Sequence, residues 1–131
     1  MKHILFVAAA TTLLSACKDE TISGYADPEA VWELTELNGS SFDARATIRF
    51  PEQGKITGQA PCNRYFSAQK APYPWFETGP IAATKMACAD LEAETQFFAA
   101  LEKMSQSEAL GSTLILSNEK GDEMVFKARK N

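Results

Sequence analysis

The chain has 131 residues, 45% of them hydrophobic, and a formal net charge of −4, which is enough for one domain with a modest core and too little for two. Its 13 Lys and Arg residues form no cluster or stripe, which excludes the electrostatic footprint of a nucleic-acid binder or of a basic lipid-binding patch. The one histidine, His3, lies at the N-terminus ahead of the first apolar run, so the rest of the chain holds no Ser-His or Cys-His dyad and no histidine metal ligand.

Lys2 and His3 give a short basic start, and Ile4 to Leu14 is an apolar run. At about 11 residues it is too short for a bilayer core that needs roughly 20, and it has the length of a signal-peptide core. Leu14-Ser15-Ala16-Cys17 then resembles the lipobox of bacterial lipoproteins, in which the cysteine is cleaved free, acylated and left as the mature N-terminus. The resemblance implies a lipoprotein signal peptide over residues 1–16, lipidation at Cys17 and a membrane partner held through palmitate-type acyl chains. One chain anchors only marginally, so several are needed. Lys18 in place of aspartate after the cysteine implies sorting to the outer membrane, facing the periplasm. Plain cleavage after Ala16 and an uncleaved anchor are the alternatives. Residues 17–29 read as the lipidated N-terminus and a flexible tether, small and polar with Gly24 and Pro28. Loss of the signal removes Lys2 and takes the formal charge from −4 to −5.

Within 30–128, Val31 to Leu37 alternates and predicts a strand ending in an Asn38-Gly39 turn. Ala46 to Phe50 alternates as well, with Ala46, Ile48 and Phe50 on one face. Turn residues Pro51 to Gly54 then lead into a return strand over Lys55 to Gly58. The proline-rich stretch from Pro72 to Pro80 carries Tyr73, Trp75 and Phe76 and reads as an edge strand or a structured loop. A helix follows, with Asp90 as cap, Glu92 and Glu94 in the first turn and Lys103 near the end, the order the helix dipole prefers. Leu91, Phe97, Phe98, Leu101 and Met104 recur on it at helical spacing. Thr113 to Ser117 and Glu123 to Lys127 predict a second hairpin across Asn118 to Gly121. Strands, one helix and strands again describe an α+β domain whose helix covers an antiparallel sheet.

With Cys17 acylated, Cys62 and Cys88 remain, and two cysteines in an oxidising compartment usually pair. Their bond would close a loop of roughly 27 residues, worth on the order of 3 kcal/mol in the chain-entropy model; the alternative is two thiols that never meet. There is no CxxC redox motif and no glycine-rich phosphate loop. Asp90, Glu92 and Glu94 read as a solvated helix start rather than a catalytic pair. The sequence therefore points to no enzyme, no cofactor and no metal. Gly58 suits a bulge or a close backbone approach, and Asn63 suits a tight local turn. Arg64 suits a helix carboxylate or the surface, and Tyr65 and Phe66 suit the core.

Gly58-Gln59-Ala60-Pro61-Cys62-Asn63-Arg64-Tyr65 and Thr84-Lys85-Met86-Ala87-Cys88, followed by a helix with paired phenylalanines and a Leu-x-Leu strand, resemble the META domain family of HslJ-like heat-shock lipoproteins. Trp32-Glu33-Leu34 matches the usual opening strand. The motif residues are Gly58, Asn63, Arg64, Tyr65, Thr84 and Met86. Two departures are Pro61, where many members have glycine, and the proline- and aromatic-rich stretch over 67–80. The resemblance implies a small, curved antiparallel sheet packed on one helix. It also implies a non-enzymatic role in cell-envelope integrity or stress response, with an envelope protein or a lipid as partner. A secretin-pilot-like assembly role would use a cleft holding a hydrophobic segment or an acyl chain, with Trp75, Phe76, Phe97, Phe98 and Met104 as candidate lining. The acidic charge also admits an inhibitor of a cationic hydrolase such as lysozyme.

Overall fold

A computed structural model describes residues 18–129. The signal peptide expected over 1–16 and the lipidation expected at Cys17 fall outside the described residues. β1 (Val31–Leu37) is the strand that the alternation predicts, with Trp32 and Leu34 buried. Asn38 and Gly39 turn the chain at positive φ, 50° and 80°, into β2 (Ser40–Ser41). β3 (Thr47–Ile48) pairs with the other end of β1.

β4 (Lys55–Gln59), β5 (Arg64–Ala68) and β6 (Ala82–Ala83) form a three-stranded sheet of their own. After α1 (Leu91–Lys103), β7 (Gln106–Leu110), β8 (Thr113–Ser117) and β9 (Glu123–Arg129) join β1 to complete the larger sheet, in the order β2-β1-β9-β8-β7. All of these pairings are antiparallel. The architecture is α+β, mostly antiparallel sheet with one main helix. The strands divide between two sheets rather than lying in one.

Residues 46–50 explain that division. Ile48 pairs with Trp32 of β1, while Arg49 exchanges two backbone hydrogen bonds with Thr57 of β4 (2.7 and 3.1 Å). The segment is a corner serving two sheets, so only Thr47–Ile48 forms a ladder. Its alternation still holds in packing, since Ala46, Ile48 and Phe50 are fully buried. One core joins both sheets to the helix, with Trp32, Ile56, Phe97, Leu101, Leu116 and Phe126 at its centre. Phe97 meets Tyr65 edge-on at 5.5 Å. Phe66, expected inside, is 55% exposed, because alternation along β5 turns it outward once Tyr65 points in.

Gly58 is a close-approach position. A Cβ there would sit 2.2 Å from the Thr47 carbonyl oxygen and 2.6 Å from the Tyr65 ring, whose hydroxyl donates to that same carbonyl at 2.7 Å. Gly58→Ala is expected to cost about 1–3 kcal/mol through overpacking, read as a lower urea midpoint at unchanged slope. An unshifted midpoint would mean that the ring and the carbonyl yield freely.

The prolines between 72 and 76 place a structured loop along the edge of β7. Ser107 donates to the Pro74 carbonyl (2.7 Å), Phe76 donates to that of Ser105 (3.0 Å), and the Ala109 N–H donates to the Tyr73 hydroxyl (3.1 Å). An otherwise open strand edge is thereby covered. β7 itself is not foreseen from the sequence, because Gln-Ser-Glu-Ala-Leu has too little apolar alternation to announce a strand.

The described part of the expected tether, 18–29, is docked on the domain rather than free. Thr21, Ile22, Ser23 and Ala26 are buried. Ile22–Gly24 forms one 3-10 turn, and Tyr25 stacks on Tyr73 with ring centroids 4.2 Å apart. Asp19 organises the turn by accepting hydrogen bonds from the Thr21 amide (2.8 Å) and from the Thr21 and Ser23 hydroxyls. Burial pushes its carboxyl upward, but these bonds outweigh that and hold it below the usual carboxylate range. A composition of small and polar residues concealed two apolar anchors, Ile22 and Ala26.

Candidate functional site

The two family-like motifs converge on one side chain. Asn63, at the start of the β4–β5 return, is 3% exposed, and its amide is fully engaged. Its Nδ2 donates to the Met86 carbonyl (3.0 Å) and to Glu94 Oε2 (2.7 Å). Its Oδ1 accepts from Thr84 Oγ1 (2.9 Å) and from the Met86 amide (2.7 Å). Asn63 does not hold a local turn, as expected of it; it ties three segments distant in sequence.

Glu94 completes the knot. It is 5% exposed, and its Oε1 accepts from the Cys62 and Asn63 amides at 3.0 and 2.8 Å. This corrects its reading as part of a solvated helix start. A carboxylate in the first turn of a helix is favoured by the dipole, and here it also satisfies buried backbone donors. Asp90 stands at the cap position, yet its side chain makes no capping bond. The disulfide between Cys62 and Cys88 is formed, with Cα atoms 5.6 Å apart, and it joins the same two segments. Arg64 is exposed and makes no ion pair among the described residues. Met86 is held through both its backbone N–H and its carbonyl, while its side chain is 64% exposed.

Above this network runs an open groove of about 410 Å³, with Asn63 and Glu94 in its lining. Its apolar walls are Ile81, Ala83, Met86, Leu91 and Phe98, and Lys85 borders it. Leu91 is 46% exposed. Of the five residues expected to line a cleft, Phe98 alone faces this groove. Phe76, Phe97 and Met104 are core, and Trp75 is 54% exposed on the loop along β7. Successive helical residues point about 100° apart, so Phe97 enters the core while Phe98, whose ring also packs on Tyr65 at 5.3 Å, reaches the groove. The signal that could have found the groove was Leu91, Glu94 and Phe98 at i, i+3 and i+7, which share one helix face.

Among the described residues no group of three or more His, Cys, Asp or Glu is placed to hold a metal ion. No described helix is long and apolar enough to cross a membrane.

Fold and site together define a small α+β domain with a disulfide and a buried Asn–Glu knot beneath a shallow apolar groove. The sequence model of the META domain matches residues 27–131, and the chain belongs to the META domain family. Among solved structures it is similar to an NMR structure of a protein from Burkholderia xenovorans, at 18% identity and TM-score 0.63, covering 78% of this chain and 83% of that one. A second NMR structure is similar at 24% identity and TM-score 0.60, covering 76% and 89%. The crystal structure of a DUF4847 family protein from Bacteroides vulgatus is similar at 16% identity and TM-score 0.61, covering 79% and 95%. No curated protein matches the chain.

Proposed function

We propose that this META-domain protein is a lipid-anchored, periplasm-facing binding module that supports the cell envelope without catalysis and holds an acyl chain in the groove beside α1. The observation that carries the reading is the placement of exposed Met86 and Leu91 and half-buried Phe98 over a base with no free polar group on Asn63. Apolar walls over a satisfied polar base favour an apolar ligand, since no buried donor is left to demand a polar one. Lys85 at the border offers one cation to the head of an amphiphile. The lipobox-like Leu14 to Cys17 supports the anchor, and the lack of histidine beyond His3 supports a role without a Ser-His or Cys-His dyad or a histidine-bound metal.

Native mass spectrometry of the protein extracted gently from its own membrane tests this. The expected mass shows acylated Cys17, an intact disulfide and a retained acyl-chain adduct. Leu91→Asp, at an exposed position that the core does not use, should weaken retention by about tenfold, the equivalent of 1.4 kcal/mol. Wild-type protein free of adduct, or equal retention by the variant, would overturn the groove reading. An unacylated Cys17 would overturn the anchor.

A further inference from the structure

The docked N-terminal segment brings the site of membrane attachment to a second apolar surface, far along the chain from the groove residues. The Glu20 backbone carbonyl accepts a hydrogen bond from the Tyr73 amide at 2.6 Å. Cys17 precedes Glu20 by three residues, at most about 11 Å of extended chain. An acylated Cys17 is thus leashed to the loop that carries Tyr73 and Trp75. On that loop Tyr73 stacks with Tyr25, which is 49% exposed, and its hydroxyl accepts from Ala109, next to Leu110. Trp75 is 54% exposed and Leu110 55%. Two aromatics and a leucine therefore lie open to solvent around the point where the chain leaves for the bilayer.

From this geometry we infer that Tyr25, Trp75 and Leu110 form a membrane-facing patch, which seats the domain directly on the lipid surface instead of letting it stand off on a tether. The inference rests on the lipid-anchor reading. Its physical basis is threefold. Tryptophan and tyrosine favour the headgroup level, where one end of the ring is apolar and the other wet. Three large apolar side chains left open to solvent about one loop, Tyr25 stacked on its Tyr73, Trp75 on it and Leu110 on the strand it borders, mark an interaction surface. A short leash holds that surface at high local concentration near the bilayer, so weak insertion suffices. The exposed Glu108 lies on β7 between Gln106, which faces Trp75, and Leu110, and Glu20 is exposed beside Tyr73, which matches the surface to a zwitterionic bilayer and not to a strongly anionic one. The loop's rigidity supports the same assignment. Its backbone is bonded along β7, so the patch is presented in one orientation.

The two tryptophans make the test specific. Trp32 is 1% exposed in the core, and Trp75 lies in the patch. Acylated protein purified from its membrane, with its mass verified, is reconstituted in phosphatidylcholine vesicles whose acyl chains carry bromine. The expected result is a blue-shifted Trp75 component that bromine quenches and aqueous iodide does not, absent in Trp75→Phe. Acylated protein whose emission escapes bromine but remains open to iodide stands off the membrane and overturns the inference while leaving the anchor intact. Trp75 shielded from both quenchers assigns the patch to a protein contact, a second copy included, and overturns it too. Protein whose mass lacks the acyl chains marks failure of the anchor reading instead.

Discussion

Glu94→Ala is expected to lower stability by about 3–5 kcal/mol, because three donors lose their acceptor and each buried donor left unpaired costs about 1–3 kcal/mol. The carboxylate accepts from three donors: the Cys62 amide, the Asn63 amide and Asn63 Nδ2. Alanine leaves all three facing a space that the helix covers, and each loses a partner where water cannot replace it fully. Urea denaturation of disulfide-intact protein should show a lower midpoint with little change in slope. Glu94→Gln should fall between. Its remaining oxygen can still serve the two backbone donors, but its NH2 group is set against Asn63 Nδ2. Glu92→Ala, on the exposed side of the same turn, should stay within about 0.5 kcal/mol of wild type. Equal stability of the Glu94→Ala and Glu92→Ala variants would show that the knot does not bear on stability.

Reduction of Cys62–Cys88 is the second large effect expected. A loop of about 27 residues freed in the unfolded chain costs on the order of 3 kcal/mol, which for a domain of this size lowers Tm by about 10–20 °C. The native state should nevertheless survive at room temperature. Thr84 and Met86, on the Cys88 side, are already bonded to Asn63, next to Cys62. The crosslink and the knot close the same loop, so their losses should not be additive. Reduced Glu94→Ala protein should be largely unfolded where either single change leaves a folded protein. Urea titrations of the four species followed by circular dichroism settle this; a loss in the reduced double species equal to the sum of the two single losses would show that the two ties act independently.

These two effects bear unequally on what could be read in advance. The disulfide was open to inference from the count of cysteines and the oxidising compartment that the N-terminal segment led us to expect. The role of Glu94 was not. In sequence it is one of several carboxylates near a helix start, and the dipole explains it adequately as a solvated residue. What distinguishes it is the β4–β5 return, folded from residues about 30 positions earlier, which brings two backbone amides and the Asn63 side chain against that face of α1. Phe97 and Phe98 make the same point. Helical periodicity placed both near an apolar face. Which of them entered the core and which the groove depended on Tyr65 and on the segment running from Ile81 to Met86.

The sequence by itself determined the elements whose burial is periodic: β1, the β8–β9 hairpin, the helix and the alternation over 46–50. It also determined the motifs that mark the META family and the apolar run that precedes Cys17. These are local or composition-borne properties, readable because side-chain direction repeats every 2 or 3.6 residues. Only the tertiary structure decided the division into two sheets, the docking of residues 18–29, the outward turn of Phe66 and the meeting of Asn63 with Glu94. Each of those depends on which distant surface a segment finds. A polar residue's place is set by the partners that satisfy it, and partners separated by about 30 residues leave no periodic trace in the chain.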